Sequence, residues 1–356
     1  MSGPLCLAIA GAGAIGRAHA QRVRVQPGCE LLGFADPSPA AAAFAAELGV
    51  AHWAGLDALF DAAPDDARPD GVIIATPNRL HVPGALACIA RGIPALVEKP
   101  VADELDAAWR LVDAVERAGV PVLVGHHRRY SAVLECARAA IVSGALGALV
   151  AVQGAALFRK PARYFEEAAW RRERGGGPIL INMVHEIDDL RLLAGEIVEV
   201  HALVSSARRG FEVEDTASIG LRFANGALGS FVLSDAAAST RSWEQTSGEN
   251  AAYARDPGEA CYLIAGERGS LAVPSLRLQT ALGAASWVEP MRVETLAVDA
   301  GVDPLQRQLA HFCDVIRGSA APRVGVRDAT LSLQVTLAIA QAAASGRPVR
   351  CDNSAN

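Results

Sequence analysis

The chain has 356 residues, of which 51% are hydrophobic, 20% charged and 5% aromatic, a globular mixture that excludes intrinsic disorder and suits two domains. Its formal charge of −6 speaks against a nucleic-acid binder, whose binding face is basic. Every apolar run falls short of the roughly 18 residues of a membrane span, and the seven cysteines are scattered, with no Cys-x-x-Cys pair. Reduced thiols of a cytoplasmic protein are therefore expected, with no disulfide frame and no zinc site.

The first basic residue, Arg17, follows a Gly-rich turn, so the N-terminal apolar stretch reads as a buried strand and not as a secretory signal. Short apolar runs at Leu5–Ala10, Glu30–Ala35, Gly71–Ala75, Ala95–Glu98 and Val122–Gly125 alternate with helical patterns around Ile15–Val25, Pro39–Leu48, Val82–Ala90 and Glu104–Ala118. Gly49, Gly92 and Gly119 fall just past three of these helices, where a left-handed cap belongs. This rhythm predicts a parallel sheet with helices on its faces, over residues 1–125. From about residue 145 the runs Leu149–Phe158, Val198–Ser205, Ala217–Phe223, Ala227–Ser234, Cys261–Ala265 and Leu271–Val273 follow one another with few helices. They predict a large, mostly antiparallel open sheet in an α+β domain over 126–356. Helix Ala132–Ser143 leads into it and Ile181–Ala194 interrupts it. Two last helices, near Pro304–Arg317 and Asp328–Ala344, are expected to pack back on the first domain.

The first strand runs into GAGAIG, Gly11 to Gly16, with Ala14 and Ile15 opening a helix. Gly11 permits the tight turn, Gly13 lets the backbone approach a pyrophosphate, and Gly16 allows close helix–strand contact. The helix N-terminus then meets the phosphate charge. Asp36 closes LLGFAD, 20 residues beyond Gly16, where its carboxylate is suited to both hydroxyls of an adenosine ribose and would repel a 2′-phosphate. A dinucleotide site that prefers NAD over NADP is the expectation; the alternative is a plain turn with Asp36 capping the next helix. His-Glu-x-x-His is not completed at His185, since Asp189 stands where the second histidine would be.

Two further segments are distinctive: TPNRLH, Thr76 to His81, after the run Gly71–Ala75, and Glu98-Lys99-Pro100 at the end of the run Ala95–Glu98. With the glycine turn, GHHRRY (Gly125 to Tyr130), Trp170-Arg171, Gly175–Gly177 and HEID (His185 to Asp188), the chain resembles the glucose–fructose oxidoreductase / inositol dehydrogenase / rhizopine catabolism (Gfo/Idh/MocA) family. The resemblance implies an N-terminal Rossmann domain, a C-terminal open sheet that mediates a homodimer or homotetramer, and a nicotinamide cofactor. It also implies a sugar or polyol substrate. Lys99 and His185 are then the catalytic pair at the reacting hydroxyl, and Thr76, Asn78 and Glu98 stand on the cofactor side. The resemblance allows a cis Lys99–Pro100 bond, which aims Lys99 inward. Glu98 either touches the nicotinamide ribose or orients Lys99; His81 reads as a helix-start packing residue.

Asn182 and Asp188 share a helix face with His185, and Arg128, Tyr130, Trp170 and Arg171 complete the implied substrate set. The arginines either bind an acidic sugar or form interface salt bridges, and Asp188 either orients His185 or pairs with an arginine. Many relatives carry Asp four residues before the histidine; here that residue is Ile181, so Asn182 substitutes for the acid or the helper is absent. The polar loop Ser242–Asn250 is a pocket lid, a sugar-stacking wall or an oligomer contact. The function expected is NAD-dependent oxidation of a secondary alcohol of a sugar, cyclitol or sugar acid. The alternatives are an NAD-dependent glycoside hydrolase working by transient oxidation and a non-catalytic NAD-responsive regulator.

Overall fold

Alternating strands and helices build the first sheet. In chain order they are β1 (Leu5–Ala10), α1 (Ala14–Val25), β2 (Cys29–Ala35), α2 (Pro39–Leu48), β3 (Ala51–Trp53), α3 (Leu56–Ala62), β4 (Gly71–Ile74), α4 (His81–Ile89), β5 (Ala95–Val97), α5 (Leu105–Ala118) and β6 (Val122–Val124). The structure, a computed structural model, describes residues 3–62, 68–299, 301 and 303–351. All five strand pairings are parallel, in the order β3-β2-β1-β4-β5-β6. Strand order reverses between β1 and β4, and in open parallel sheets ligands bind beyond the carboxyl ends of strands at such a point. Gly49 and Gly119 close α2 and α5 at φ 69° and 67°, left-handed values that glycine adopts without a steric penalty. The short β3 and α3 were not among the expected elements.

The remaining elements are α6 (Ala132–Val142), β7 (Leu149–Leu157), α7 (Ala162–Glu166), a π-helical turn Ile179–Met183 running into α8 (Val184–Ala194), β8 (Ile197–Ser205), β9 (Thr216–Phe223), β10 (Leu228–Ser234), α9 (Trp243–Thr246), β11 (Tyr262–Gly266), β12 (Gly269–Val273), β13 (Arg277–Ala281), β14 (Met291–Thr295), α10 (Pro304–Ile316), α11 (Val326–Ser345) and β15 (Val349–Arg350). The second sheet runs β14-β13-β12-β11-β7-β10-β9-β8-β15. It is antiparallel except where β10 lies parallel to β7.

Strand β9 shows how the sheet is sided: Ala217, Ile219, Leu221 and Phe223 are buried while Ser218, Gly220 and Arg222 are exposed. The buried side packs in one core with Leu134 of α6, Ile187 and Leu190 of α8, and Val335 and Ile339 of α11. Its apolar face is thus covered within the chain. The other face is mixed, with Leu228, Val232 and Leu263 exposed among Gln153, Ser218 and Arg222.

Two compact units result: Met1–Tyr130 with Pro304–Leu333, and Ser131–Asp303 with Gln334–Asn356. The return of α10 to the first unit follows from its apolar stripe. Leu309, Phe312 and Cys313 join Leu7, Ile9, Phe34 and Ile73 in one core. No described helix is long and apolar enough to cross a membrane.

Candidate active site

In the first unit, the turn between β1 and α1 is built by glycine. Gly11 has φ 94°, and a Cβ there would lie 2.5 Å from the Ala75 carbonyl oxygen; a Cβ on Gly16 would lie 2.0 Å from the Gly11 oxygen. Gly13 differs, because a Cβ on it meets nothing within 4 Å. It is the N-cap of α1 and supplies no side-chain cap, so the exposed Ala14 and half-buried Ile15 begin a helix whose first N–H groups look for an anion. Thr76, just past β4, has a buried Oγ1 with no partner among the described residues. Asp36 ends β2 and accepts N–H bonds from Ala12 at 2.8 Å and Ser38 at 2.8 Å. Burial raises its carboxyl, but these bonds and the nearby His52 outweigh that and hold it below its ordinary value. Asp36 does not cap α2: the N-cap is Ser38, whose Oγ accepts the Ala41 N–H at 3.2 Å, and the Asp36 carboxylate is instead tied to the glycine turn through the Ala12 N–H. Open space at Gly13, an uncapped helix start, an unpartnered hydroxyl and an anionic carboxylate fit a dinucleotide whose adenosine ribose lies toward Asp36.

The loop after β5 carries Glu98, Lys99 and Pro100, with the Lys99–Pro100 bond cis. Glu98 is buried and receives His19 Nε2 at 2.8 Å and the Lys99 backbone N–H at 3.2 Å. Burial raises its carboxyl, and the His19 bond with the charges nearby, Lys99 included, more than offsets this and leaves it depressed. Its contacts are thus those of a residue that shapes the Lys99 turn. His81 bonds Pro100 O at 2.7 Å and Thr76 O at 2.9 Å through its two ring nitrogens, tying the loops after β4 and β5 together. His127 is pushed down to about 3, by burial first and then by Arg128, so its ring is neutral near pH 7. Arg128 is buried; Arg129 pairs with Asp328 at 3.4 Å. Tyr130 is 1% exposed, its ring 5.5 Å from that of His311 and under the Arg323 guanidinium at 4.7 Å. Asn78 lies exposed in the turn before α4.

In the second unit, His185 stands on α8, one turn after the π-helical turn that carries Asn182. Glu214 fixes the start of that turn by accepting the Ile179 N–H at 2.8 Å, and a Cβ at Gly177 would come within 2.4 Å of that carboxylate and displace it. Asn182 lines a cavity of about 890 Å³ together with Lys160, Tyr164, Thr240, Gln245 and Tyr253. Lys160 Nζ donates to Asn182 Oδ1 at 2.7 Å, lies 3.7 Å from Asp235 Oδ2, and faces the Tyr164 ring at 4.8 Å. Arg209 Nε holds the other oxygen of Asp235 at 2.6 Å. Burial pushes the Asp235 carboxyl up despite both cations.

Of the remaining sequence candidates, Arg171 stacks its guanidinium 3.9 Å from the Tyr164 ring centre. Trp170 is half exposed, and Asp188 is fully buried on α8. In the Ser242–Asn250 loop, Glu244 and Gln245 line the cavity. Trp243 is buried against Tyr262, ring centres 6.0 Å apart, with its indole N–H on Glu249, so it is no stacking wall. Sequence reasoning singled out Asn182 but missed Lys160, Asp235 and Arg209. One signal was present: Lys160-Pro161 follows β7 as Lys99-Pro100 follows β5. No group of three metal-ligating side chains occurs among the described residues.

Residues 5–126 match the model of an oxidoreductase family with an NAD-binding Rossmann fold, and residues 134–272 match the Gfo/Idh/MocA C-terminal domain. The chain is 31% identical to a 1,5-anhydro-D-fructose reductase of Ensifer adhaerens over 79% of its own length and 80% of that protein. It is also 31% identical to an inositol 2-dehydrogenase of Rubrobacter xylanophilus, covering 76% and 72%. The fold is shared with the WlbA dehydrogenase of Bordetella pertussis, solved with NADH and UDP-GlcNAcA, at TM-score 0.77 and 24% identity over 98% of both chains. With its parallel sheet, glycine turn and second mixed sheet, the chain belongs to the Gfo/Idh/MocA family of NAD-binding oxidoreductases.

Proposed function

We propose that the protein oxidises a secondary alcohol of a sugar, cyclitol or sugar acid, with NAD preferred over NADP. The observation that carries the substrate class is the cavity of the second unit. It combines the rings of Tyr164 and Tyr253 with the polar groups of Lys160, Asn182, Thr240 and Gln245, a mixture suited to a hydroxylated ring with apolar C–H faces. The cofactor preference rests on Asp36, whose charge repels a 2′-phosphate and whose free lone pairs accept ribose hydroxyls.

When bound, the nicotinamide supplies the hydride acceptor. His185 accepts the proton of the reacting hydroxyl, the general-base role for which an imidazole is suited. Lys99 supplies positive charge to the alkoxide that develops. Glu98 keeps the Lys99 turn in place through the backbone bond already described. The test is a panel of sugars, cyclitols and sugar acids read by NADH absorbance, with NADP in parallel. Steady NADH production on at least one secondary alcohol, lost in both Lys99→Ala and His185→Ala, is expected. NADH formation that survives both substitutions would overturn the assignment.

A further inference from the structure

The Lys160–Asn182 contact sets the polarity of the cavity. Lys160 is 9% exposed, and its ammonium carries three donors and no acceptor. The oxygen of the Asn182 amide must therefore face it, as the 2.7 Å bond to Oδ1 records, and the NH2 end is turned the other way. Asn182 Nδ2 has no acceptor among the described residues, although Asn182 lines the cavity. The lysine cannot swing aside cheaply. Asp235 Oδ2 lies 3.7 Å away, itself anchored by Arg209, and the rings of Tyr164 and Phe158 lie at 4.8 and 5.5 Å.

We propose that Lys160 is a specificity-determining residue that locks the Asn182 amide as a hydrogen-bond donor. The position one turn before His185 thus takes an oxygen acceptor of the substrate. The preferred substrates carry a hydroxyl or carbonyl oxygen on the carbon next to the one oxidised, and analogues deoxygenated there are rejected. A carboxylate side chain in this place would accept instead, so the polarity here is the reverse of the one an acid helper gives. The inference rests on the proposed alcohol oxidation and narrows its substrate class.

Matched pairs of cyclic vicinal diols and their mono-deoxy analogues, assayed with NAD, test the class. Wild type should favour the diol at least tenfold in kcat/KM. Asn182→Asp leaves the Lys160–Asp235 pair in place and should raise the diol KM about tenfold or more, with a smaller effect on kcat. Lys160→Met should shrink the preference to within about twofold, and Lys160→Arg should restore most of it. Equal loss on diol and deoxy analogue in every variant would mean a merely structural lysine and overturn the proposal.

The lock has its own readout, selective 15N-asparagine labelling of the NADH-loaded protein. The Asn182 side-chain amide signals, assigned by their loss in Asn182→Asp, should move in Lys160→Met and stay in Lys160→Arg. Unmoved signals would overturn the inference. If wild type oxidises nothing on the panel, the function reading fails, and the amide spectrum still decides whether the lock exists.

Discussion

At the level of single residues, charge placement carries the sharpest expectations. Asp36 should make NAD bind at least tenfold better than NADP, about 1.4 kcal/mol, and Asp36→Ser should narrow that gap in calorimetric titration. Because its carboxyl is held below the ordinary range, the preference should persist down to about pH 5. His185→Ala should cut kcat by about 10²–10⁴ with little change in NAD affinity. Lys99→Ala should cost a similar factor. The double variant should lose clearly less than the product of the two, since both serve one proton movement; single-turnover hydride transfer measures this. His127 acts on stability. Its folded value of about 3 lies below that of an unfolded histidine, so the unfolded chain binds a proton that the folded one refuses. Stability should fall as pH drops below about 6.5, and His127→Gln should flatten the fall in Tm between pH 7 and pH 5. Lys99, His185 and Asp36 were legible because each sits in a local motif. Of the Lys160–Asn182–Asp235–Arg209 set only Asn182 was legible, by its spacing to His185; the other three lie 26 to 75 positions from one another and share no pattern along the chain.

At the level of elements, the glycines of the first turn divide by what a side chain would meet. Gly16→Ala drives a methyl into the Gly11 carbonyl and should lower Tm sharply or prevent folding. Gly13→Val meets open space, so it should fold with nearly unchanged Tm while losing most NAD binding in the same titration. Equal damage from both would mean that the turn is only a corner. Helix α2, opened by Pro39 and closed by Gly49, was readable almost to the residue, although its N-cap proved to be Ser38. By contrast, β3 is three residues long, and β13 and β14 read RLQTA and MRVET, exposed or half-buried at most positions, so neither periodicity nor hydrophobicity announces them. The π-helical turn before α8 was read as ordinary helix. Nothing in ILINM encodes the extra residue, and the Glu214 carboxylate that fixes its first N–H lies 35 positions away.

At the scale of the whole molecule, the expected state is a homodimer or homotetramer formed through the second unit, which light scattering should report as a multiple of 37.0 kDa. Exposed Leu228, Val232 and Leu263 on the outer face of the sheet support a contact there. A fragment ending at Tyr130 should not fold, since it lacks Leu309 and Phe312 of α10, and circular dichroism with an NAD titration would register the failure. The same return of α10 gives synthesis a direction. When Tyr130 leaves the ribosome, the dinucleotide unit still lacks part of its core, and the 173 residues Ser131–Asp303 must be made before the missing helix arrives. At ~5–20 residues per second this is a wait on the order of ten to thirty seconds. During that wait the nascent N-terminal segment exposes apolar surface and offers chaperones a long window of access. The core of the dinucleotide unit is thus completed only after the whole of Ser131–Asp303 has been made, although its glycine turn precedes that segment.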